Sequence, residues 1–320
     1  LLGFETSLSE RVLSLLRGET RRGDDLTLTV DSALCQKIVN TFENGAQTRD
    51  KSGAAVVMNY KTGEVLALVS LPVFDPQNIT DKDRENPLHP FWNRALQSTL
   101  PPGSTFKIIT AASALENLSG ITTHLFNCTG ATQVLDQYIH DYKMAQHGKL
   151  TLEKAFTVSC NNAFAQCALM LGDAALRKTA EDFGFNDNFL FRDLVVENST
   201  YPTANRNDVE IAWSGAGQSQ VAATPLHMCM VAASIANNGV MMEPRLISQV
   251  KSPAGVVRLR YTPKVYRRTV SESIAKTLQG YMKNVVATGS GTAAGVTGLT
   301  IAGKTGSAES SADNMDVTHA

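Results

Sequence analysis

The chain has 320 residues, enough for one large domain or two ordinary ones, and its apolar fraction of 43% is typical of a globular protein rather than a disordered one. Its 29 Lys and Arg residues balance 30 Asp and Glu residues, and a net charge of −1 gives no field to hold a polyanion, which argues against nucleic-acid binding. No stretch resembles a signal peptide or a bilayer-spanning helix. We therefore expect any export or anchoring segment to lie outside this sequence.

Up to residue 103 the sequence predicts two helices, three strands and a long loop. Residues 1–24 combine a short apolar-periodic helix with a charged connector. Asp31 is placed to cap a helix that ends before Gly45, and the proline-rich residues 71–103 predict a long ordered loop. Runs of β-branched and apolar residues predict strands at 26–30, 54–60 and 64–70.

From Thr105 the pattern becomes helical. Apolar residues cover nearly every side of the first helix, which predicts a buried one. Further helices are expected at 151–158, 162–171, 174–183, 223–237 and 271–286. Strands are expected at 246–250, 256–261 and 298–307. This distribution predicts an α+β fold in which an antiparallel sheet is flanked by helices.

The cysteines and histidines do not indicate a metal site. The five cysteines show no CxxC spacing, and we interpret all of them as small core hydrophobes. Cys160 and Cys167 would lie about 10 Å apart along one helix, too far for a disulfide. His140 and His147 are the closest pair of histidines along the chain and have no carboxylate in register. The sequence therefore predicts neither a metal ion nor a cofactor.

Ser104 and Lys107 form the first motif that carries chemistry. They follow Pro101-Pro102-Gly103 and lie one turn apart at the start of the apolar helix. Desolvation there lowers the pKa of a lysine, which can then take a proton from a nearby hydroxyl and make it a nucleophile. The backbone N–H groups of a helix N-terminus can also stabilise an oxyanion. The alternative interpretation of Ser104 is an ordinary N-cap.

Ser159-Cys160-Asn161 forms the second motif, at a junction between two predicted helices. A hydroxyl and an amide on one tight turn can hold a lysine and a peptide carbonyl, although a capping cluster is the alternative. The third motif is Lys304-Thr305-Gly306-Ser307 on the last predicted strand. A lysine and two hydroxyls can bind a carboxylate, and Gly303 and Gly306 would let a substrate backbone lie against the strand.

The chain also contains copies of these short patterns in other contexts. They lack the Pro-Pro-Gly turn, the apolar helix or the strand, so we interpret them as surface pairs and as a hairpin turn. They are Ser248/Lys251, Ser273/Lys276 and Lys61-Thr62-Gly63.

Taken together, the order Ser-x-x-Lys, Ser-x-Asn, Lys-Thr-Gly resembles that of penicillin-binding proteins and serine β-lactamases. The 55 and then 145 residues between the motifs leave space for an inserted all-helical subdomain. The flanking segments are similar to the transpeptidase domain of high-molecular-weight penicillin-binding proteins, and they comprise 62–67, 74–76, 93–107, 217–218, 224–226 and 236–239.

The resemblance implies a role for each motif residue. Ser104 would be acylated by the penultimate D-alanine of a peptidoglycan stem peptide, with Lys107 as the base, and an amine of a second stem would then form the cross-link. Ser159 would relay protons, and Asn161 would hold Lys107 and the peptide carbonyl. The carboxylate of a stem peptide or of an inhibitory β-lactam would be bound by Lys304, Thr305, Gly306 and Ser307. The oxyanion hole would be the backbone N–H groups of Ser104 and Ser307.

The resemblance also implies an organisation and a location. Residues 1–24 resemble the end of a non-catalytic module and 25–320 a transpeptidase domain, which favours a monofunctional class B protein. The family continues after Lys-Thr-Gly with two further strands and a helix, which we expect to be missing here and to leave that strand with an exposed edge. The protein would act on the outer face of the bacterial cell membrane, held by an anchor outside this sequence. A membrane glycosyltransferase is a further expected partner.

Three alternatives keep the same motifs. A β-lactamase or a D-Ala-D-Ala carboxypeptidase would hydrolyse the acyl-enzyme, and a β-lactamase would need a deacylating base, for which Glu210 and Glu243 are the available glutamates. A non-catalytic β-lactam sensor would acylate without cross-linking.

Overall fold

The computed structural model describes Val12, Leu16 and residues 23–204, 206–310 and 315–319. The helix predicted within residues 1–24 lies largely outside the described residues. Among the described residues, no helix combines the length and apolar composition needed to cross a bilayer.

Runs of consecutive helices and runs of consecutive strands follow one another along the described part of the chain. The helices are α1 (Ser32–Asn44), α2 (Asp81–Arg84), α3 (Arg94–Gln97), α4 (Lys107–Asn117), α5 (Leu152–Val158), α6 (Asn161–Asp182), α7 (Asp208–Gly215), α8 (Pro225–Ala236) and α9 (Glu272–Thr288). Short 3-10 helices lie at Gly103–Phe106, Tyr142–Met144 and Thr292–Ala294. The strands are β1 (Asp25–Leu28), β2 (Gly53–Met58), β3 (Val65–Leu71), β4 (Phe126–Cys128), β5 (Ala131–Val134), β6 (Gln137–His140), β7 (Gly148–Leu150), β8 (Val240–Met242), β9 (Ile247–Lys251), β10 (Val257–Arg260), β11 (Val265–Arg268), β12 (Gly306–Ser310) and β13 (Met315–His319).

The strands pair in antiparallel fashion. β9 lies between β1 and β10, and β2 pairs with β3 from Gly53 opposite Leu71 to Met58 opposite Val65. The Thr29 hydroxyl connects the two groups, because it donates to the Val65 carbonyl at 2.7 Å while the Thr29 amide donates to the Leu246 carbonyl at 2.7 Å. The remaining pairs are β4 with β7, β5 with β6, β8 with β11 and β12 with β13.

The main hydrophobic core surrounds α4, which is buried from Lys107 to Ala114. This helix packs against α6, and its Thr110 hydroxyl donates to the Gly215 carbonyl of α7 at 3.0 Å. Phe106, just before α4, is wholly buried and contacts Phe185 edge-on, with ring centroids 5.4 Å apart. The apolar residues on all sides of α4 thus give the buried helix that the sequence predicts, and they fix the 3-10 turn that precedes it.

Much of the predicted organisation is confirmed. The fold is α+β, Asp31 caps α1 by accepting from the Leu34 amide at 3.0 Å, and both predicted hairpins form. The two helices predicted at 162–171 and 174–183 are the two halves of α6, which leaves helical geometry at Gly172 (φ 73°, ψ 164°).

Three expectations need correction. The inserted subdomain is not all-helical, since β4–β7, between α4 and α5, fold into short strand pairs. The strand predicted at 298–307 begins only at Gly306, so Lys304 and Thr305 precede it. A strand does follow it, because β13 pairs with β12 in register from Gly306 opposite His319 to Ser310 opposite Met315, and covers the edge that was expected to be exposed. These short elements carry too few residues to establish a period in the sequence.

Gly217 holds the 3-10 turn Gly103–Phe106 against the loop after α7. Its carbonyl accepts from the Gly103 amide at 2.9 Å, and its own φ of 76° lies in the left-handed region. A Cβ on Gly217 would lie 2.0 Å from the Gly103 carbonyl oxygen and 2.6 Å from the Phe106 Cβ. Only glycine therefore fits both the backbone conformation and the contact.

Replacing Gly217 with alanine is expected to lower the free energy of unfolding by at least about 2 kcal/mol, because left-handed strain adds to the clash with Gly103. Gly120→Ala is a matched control, since Gly120 also has a positive φ (73°) but its Cβ would meet nothing within 4 Å. The control should lose only about 1 kcal/mol. Urea denaturation of both variants measures the difference, and equal losses would contradict a tight contact at Gly217.

Candidate active site

Ser104 lies in the 3-10 turn Gly103–Phe106, directly before α4. The turn is closed by the Thr105 hydroxyl, which donates to the Pro102 carbonyl at 2.6 Å, and the Lys107 amide donates to the Ser104 carbonyl. Ser104 is half-buried, whereas Lys107 is completely buried at the head of the apolar helix. The sequence thus places a hydroxyl at the surface and an amine in the core within one turn of chain.

Lys107 is held by acceptors from a distant segment. Its Nζ lies 2.7 Å from the Ser159 carbonyl oxygen, 2.7 Å from Asn161 Oδ1 and 3.3 Å from Ser159 Oγ. The Phe164 ring lies over the same amine, with its centroid 5.3 Å from Nζ. Burial lowers the pKa of Lys107 to about 8, although the nearby Cys160 and Asp141 raise it. These contacts bring the first two predicted motifs together.

The turn between α5 and α6 explains how a single residue can offer two oxygens to lysine. Ser159 is left-handed, with φ 61° and ψ 38°, and it ends α5 by donating its amide to the Ala155 and Phe156 carbonyls. Cys160 then caps α6, its sulfur accepting from the Ala163 amide at 3.2 Å. Asp141 supports the turn from outside, because its Oδ1 accepts from the Asn161 amide. This motif is therefore a helix-capping cluster that also holds a lysine, so the two predicted interpretations do not exclude each other.

Lys304 reaches the same hydroxyl from the opposite side. Its Nζ lies 2.8 Å from Ser159 Oγ and 2.8 Å from the Thr305 carbonyl oxygen, and its side chain is buried over the Phe156 ring. Burial, and then the charge of Lys107, hold the pKa of Lys304 well below its usual range. Two amines thus converge on Ser159 Oγ, one from α4 and one from the residues before β12.

The start of β12 packs against the turn that carries Ser104. A Cβ on Gly306 would lie 2.9 Å from Thr105 Cγ2, and a Cβ on Gly103 would lie 2.4 Å from the Ser307 carbonyl oxygen. Gly306 is therefore required by this contact. Gly303 is not, since its Cβ would meet only Val286 Cγ2 at an ordinary 3.7 Å. The backbones of Ser104 and Ser307, predicted as the oxyanion hole, lie on the two segments that touch here.

Ser290 was missed by the sequence analysis. Its Oγ lies 2.7 Å from Thr305 Oγ1, and its amide donates to the Thr157 carbonyl at 3.2 Å. The position is fixed by Gly289, whose Cβ would lie 2.2 Å from that same carbonyl oxygen. The Gly-Ser-Gly sequence after α9 was the available signal, but a glycine-rich helix end is too common to indicate a site.

The repeated patterns lie away from this cluster, as predicted. Ser248 Oγ donates to the Thr27 carbonyl at 2.9 Å, Lys276 forms an exposed ion pair with Glu272, and Gly63 lies in the hairpin turn with φ 80°. The motifs of the site are thus distinguished from their copies by the predicted surrounding structure and not by the spacing of the residues.

The expectation of no metal site assumed that no carboxylate lies near the histidines, and this assumption is wrong for His147. Asp141 follows β6 and comes beside His147, which the sequence left without a carboxylate in register. Ligand atoms of Cys128, Asp141, His147 and Cys160 all lie within 4.8 Å of one another. Cys128, Cys160 and Cys167 are buried as predicted, although the first two also contact polar side chains, whereas Cys35 and Cys229 are only half-buried.

Comparisons with known proteins agree with the family that the motifs resemble. The family model of the penicillin-binding protein transpeptidase domain matches residues 53–319. The peptidoglycan D,D-transpeptidase PbpA of Mycolicibacterium smegmatis is 33% identical over 97% of this chain and 65% of its own length. Penicillin-binding protein 3 of Bacillus subtilis is 30% identical over 94% of this chain and 45% of its own length. The chain thus spans about half to two thirds of these relatives.

A solved structure has the same fold. The ceftriaxone acyl-enzyme complex of penicillin-binding protein A from M. tuberculosis superposes with a TM-score of 0.87 and 30% sequence identity, covering 96% of this chain and 72% of that one. The motif order and the converging side chains agree with a family model that matches most of the sequence. This chain therefore belongs to the penicillin-binding protein transpeptidase domain family.

Proposed function

We propose that this chain is a serine-type D,D-transpeptidase that cross-links peptidoglycan stem peptides through an acyl-enzyme on Ser104 and is inhibited covalently by β-lactams. The observation that carries the proposal is the convergence of two buried lysines on Ser159 Oγ, at 3.3 Å from Lys107 and 2.8 Å from Lys304, beside the turn that holds Ser104. The names of the relatives, which are D,D-transpeptidases and β-lactam acyl-enzymes, support it.

Lys107 is suited to act as the base toward Ser104. A neutral amine has two N–H groups and one lone pair, and the Ser159 carbonyl and Asn161 Oδ1, each 2.7 Å away, accept both N–H groups. The lone pair then remains for the Ser104 hydroxyl one helical turn earlier. Because burial lowers the pKa of Lys107 to about 8, a substantial fraction is neutral near physiological pH.

In the acylation step, Ser104 Oγ attacks the carbonyl of the penultimate D-alanine and its proton passes to Lys107 Nζ. The oxyanion that forms accepts hydrogen bonds from the backbone N–H groups of Ser104 and Ser307. The C–N bond to the terminal D-alanine then breaks, and the leaving amine takes a proton delivered through Ser159 Oγ. Ser159 contacts both lysines, so it is placed to carry that proton from either one.

In the second step, the amine of a neighbouring stem attacks the acyl carbonyl and loses a proton by the same route. The new amide forms, and Ser104 leaves as a hydroxyl after recovering its proton. The substrate carboxylate is held by Lys304, Thr305, Gly306 and Ser307. Ser290, bonded to Thr305 Oγ1, orients that hydroxyl.

The contacts of the two available glutamates favour acyl transfer over hydrolysis by a β-lactamase. Glu210 forms a capping box with Asn207 at the start of α7, with bonds of 3.0 and 2.9 Å. Glu243 lies 2.6 Å from Lys264 Nζ and 3.8 Å from Arg245. Both carboxylates are thus engaged in structural contacts, so neither is poised to activate a water at Ser104.

The organisation and location follow from the same proposal. Residues 25–320 would form the transpeptidase domain and 1–24 the end of a preceding non-catalytic module. The substrate is a component of the cell wall, so the protein would act on the outer face of the cell membrane, anchored by a segment outside this sequence. A membrane glycosyltransferase that supplies glycan strands is the expected partner.

Ser104→Ala should abolish labelling by benzylpenicillin. Intact-protein mass spectrometry of the wild type should show the added mass of one β-lactam, and the variant should show none while keeping its circular dichroism spectrum. Ser273→Ala is the matched control, because Ser273 has the same spacing to a lysine and should leave labelling unchanged. Equal labelling of Ser104→Ala would refute the nucleophile.

Lys107→Ala should slow acylation by about 10²–10⁴-fold, the usual contribution of a positioned base. In the wild type the acylation rate should rise about tenfold per pH unit below pH 8 and level off above it, because only the neutral amine accepts a proton and its pKa is about 8. Stopped-flow measurement with a fluorescent penicillin checks both. Lys276→Ala is the control with unchanged kinetics, and a flat profile from pH 6 to 9 in the wild type would rule out Lys107 as the base.

The acyl-enzyme should persist for many minutes, because neither Glu210 nor Glu243 is positioned to act as a deacylating base. Chasing the labelled protein with excess unlabelled penicillin and following bound fluorescence measures its lifetime. Rapid turnover of a chromogenic cephalosporin would instead identify a β-lactamase, and persistence without formation of cross-linked product from stem-peptide substrates would identify a sensor.

A further inference from the structure

The pair of strands β5 and β6 has one buried face and one exposed face. Their register sets Gln133 opposite Tyr138. Val134 and Ile139 point inward, since they are buried in a small core with residues of α6 and α7. Because successive side chains of a strand point to opposite faces, Gln133, Tyr138 and His140 lie on the outer face, and all three are exposed.

Large exposed side chains are concentrated on this hairpin and directly after it. Within residues 135–144, four aromatic or apolar side chains are more than half exposed: Leu135 (61%), Tyr138 (60%), Tyr142 (76%) and Met144 (56%). Single exposed residues of this kind are common on a protein surface, but a group of them marks an interaction site.

The segment that carries Tyr142 is held in a strained conformation. Lys143 and Met144 are both left-handed, with φ of 53° and 56°, a conformation that is unfavourable for residues with a Cβ. The Asp141 amide donates to the Gly130 carbonyl at 3.0 Å, and a Cβ on Gly130 would lie 2.7 Å from the Met144 carbonyl oxygen. The turn before β5 therefore packs closely against this segment and fixes the position from which Tyr142 is exposed.

The outer face of the hairpin is continuous with the catalytic crevice. The His140 carbonyl accepts from Asn161 Nδ2 at 3.1 Å, and Asn161 Oδ1 lies 2.7 Å from Lys107 Nζ. The His140 ring contacts the half-buried Trp213 edge-on, with ring centroids 6.0 Å apart. Tyr138 lies two residues further along β6, about 7 Å away at the rise of an extended strand. The exposed face thus begins beside the residue that holds Lys107 and extends away from it.

We propose that the outer face of β5 and β6, together with Tyr142, binds the sugar rings of the peptidoglycan glycan strand that carries the reacting stem peptide. We call this surface the hairpin platform. The inference deepens the proposed function and rests on it for the identity of the substrate. The C–H face of a pyranose ring packs on an exposed tyrosine ring. The hydroxyl and N-acetyl groups of the sugar hydrogen-bond with side chains such as those of Gln133 and His140.

The charge of the platform favours the glycan over other ligands. Residues 131–140 contain one aspartate and no lysine or arginine. The next lysine, Lys143, has its amine over the Tyr142 ring, 5.2 Å from the centroid. The hairpin itself thus offers neither lysine nor arginine to the carboxylates of a stem peptide or to the phosphates of an anionic membrane. The sugar rings are uncharged, and they are the part of peptidoglycan with C–H faces broad enough to cover a tyrosine ring.

Binding of glycan strands tests the platform directly. Strands freed of their stem peptides by an amidase are titrated into the protein by isothermal titration calorimetry. Tyr138→Ala and Tyr142→Ala should each weaken binding about three- to tenfold, because each removes one ring that stacks on a sugar. Tyr138→Phe keeps the ring and should bind within about twofold of the wild type. Tyr60→Ala is the matched control with unchanged affinity, since Tyr60 is also exposed and has the amine of the following lysine 5.7 Å from its ring centroid.

Catalytic measurements separate the platform from the acylation site. Both alanine variants should be labelled by benzylpenicillin at the wild-type rate, because the antibiotic carries no glycan. In a cross-linking assay they should raise the KM for stem peptides attached to glycan about three- to tenfold and leave the KM for the same peptides in free form unchanged. Absence of labelling in the wild type would count against the proposed function and not against the platform, because glycan binding is measured without acylation.

Three results would overturn the inference. No saturable binding of glycan by the wild type, or equal affinity in the wild type and both alanine variants, would show that the platform does not hold the sugar. Binding of free stem peptides that is tighter than that of glycan and is lost in the same variants would identify a peptide site. Binding to phosphatidylglycerol vesicles in place of glycan, again lost in the variants, would identify a membrane contact.

Discussion

The burial of the Lys107 amine is the constraint on which the site depends. An apolar helix begins at this lysine, so its side chain has no access to water and must find acceptors inside the protein. The Ser159 carbonyl and Asn161 Oδ1 supply them, and both come from a turn 52 and 54 residues further along the chain. The fold must therefore bring the end of α5 to the start of α4. The left-handed backbone conformation of Ser159 orients its carbonyl toward the lysine.

A second constraint is electrostatic. Lys107 and Lys304 contact the same hydroxyl from opposite sides, and each charge disfavours the other when both are buried. A carboxylate bound near Lys304 would stabilise its ammonium, and a proton held on Lys304 would disfavour a second one on Lys107. Under the proposed function, the same arrangement would favour a substrate that ends in a carboxylate and would keep a base available for its acylation.

The sequence predicted the parts of this site that depend on local spacing. Ser104 and Lys107 lie one turn apart, and the apolar residues after them show that the helix is buried, so their relation could be derived directly. That Ser159 and Lys304 belong to the same site was predicted only from the resemblance to a family. No local pattern indicates that residues 145 positions apart will be in contact. The cluster around Asp141 escaped prediction for the same reason. Cys128, Asp141 and His147 lie in or next to strands of three or four residues, which are too short to show a period, and their contacts with Cys160 are set by tertiary packing.

The main chain and the side chain of Ser159 make separate contacts, and this separation has an evolutionary consequence. This residue anchors Lys107 through its main-chain oxygen and meets Lys304 through its side chain. A change of side chain at this position leaves the anchoring carbonyl in place as long as the left-handed geometry is kept. In the proposed mechanism, natural variation at Ser159 would therefore alter proton delivery to the leaving group without releasing Lys107, whereas Asn161 holds Lys107 through its side chain and lacks this freedom.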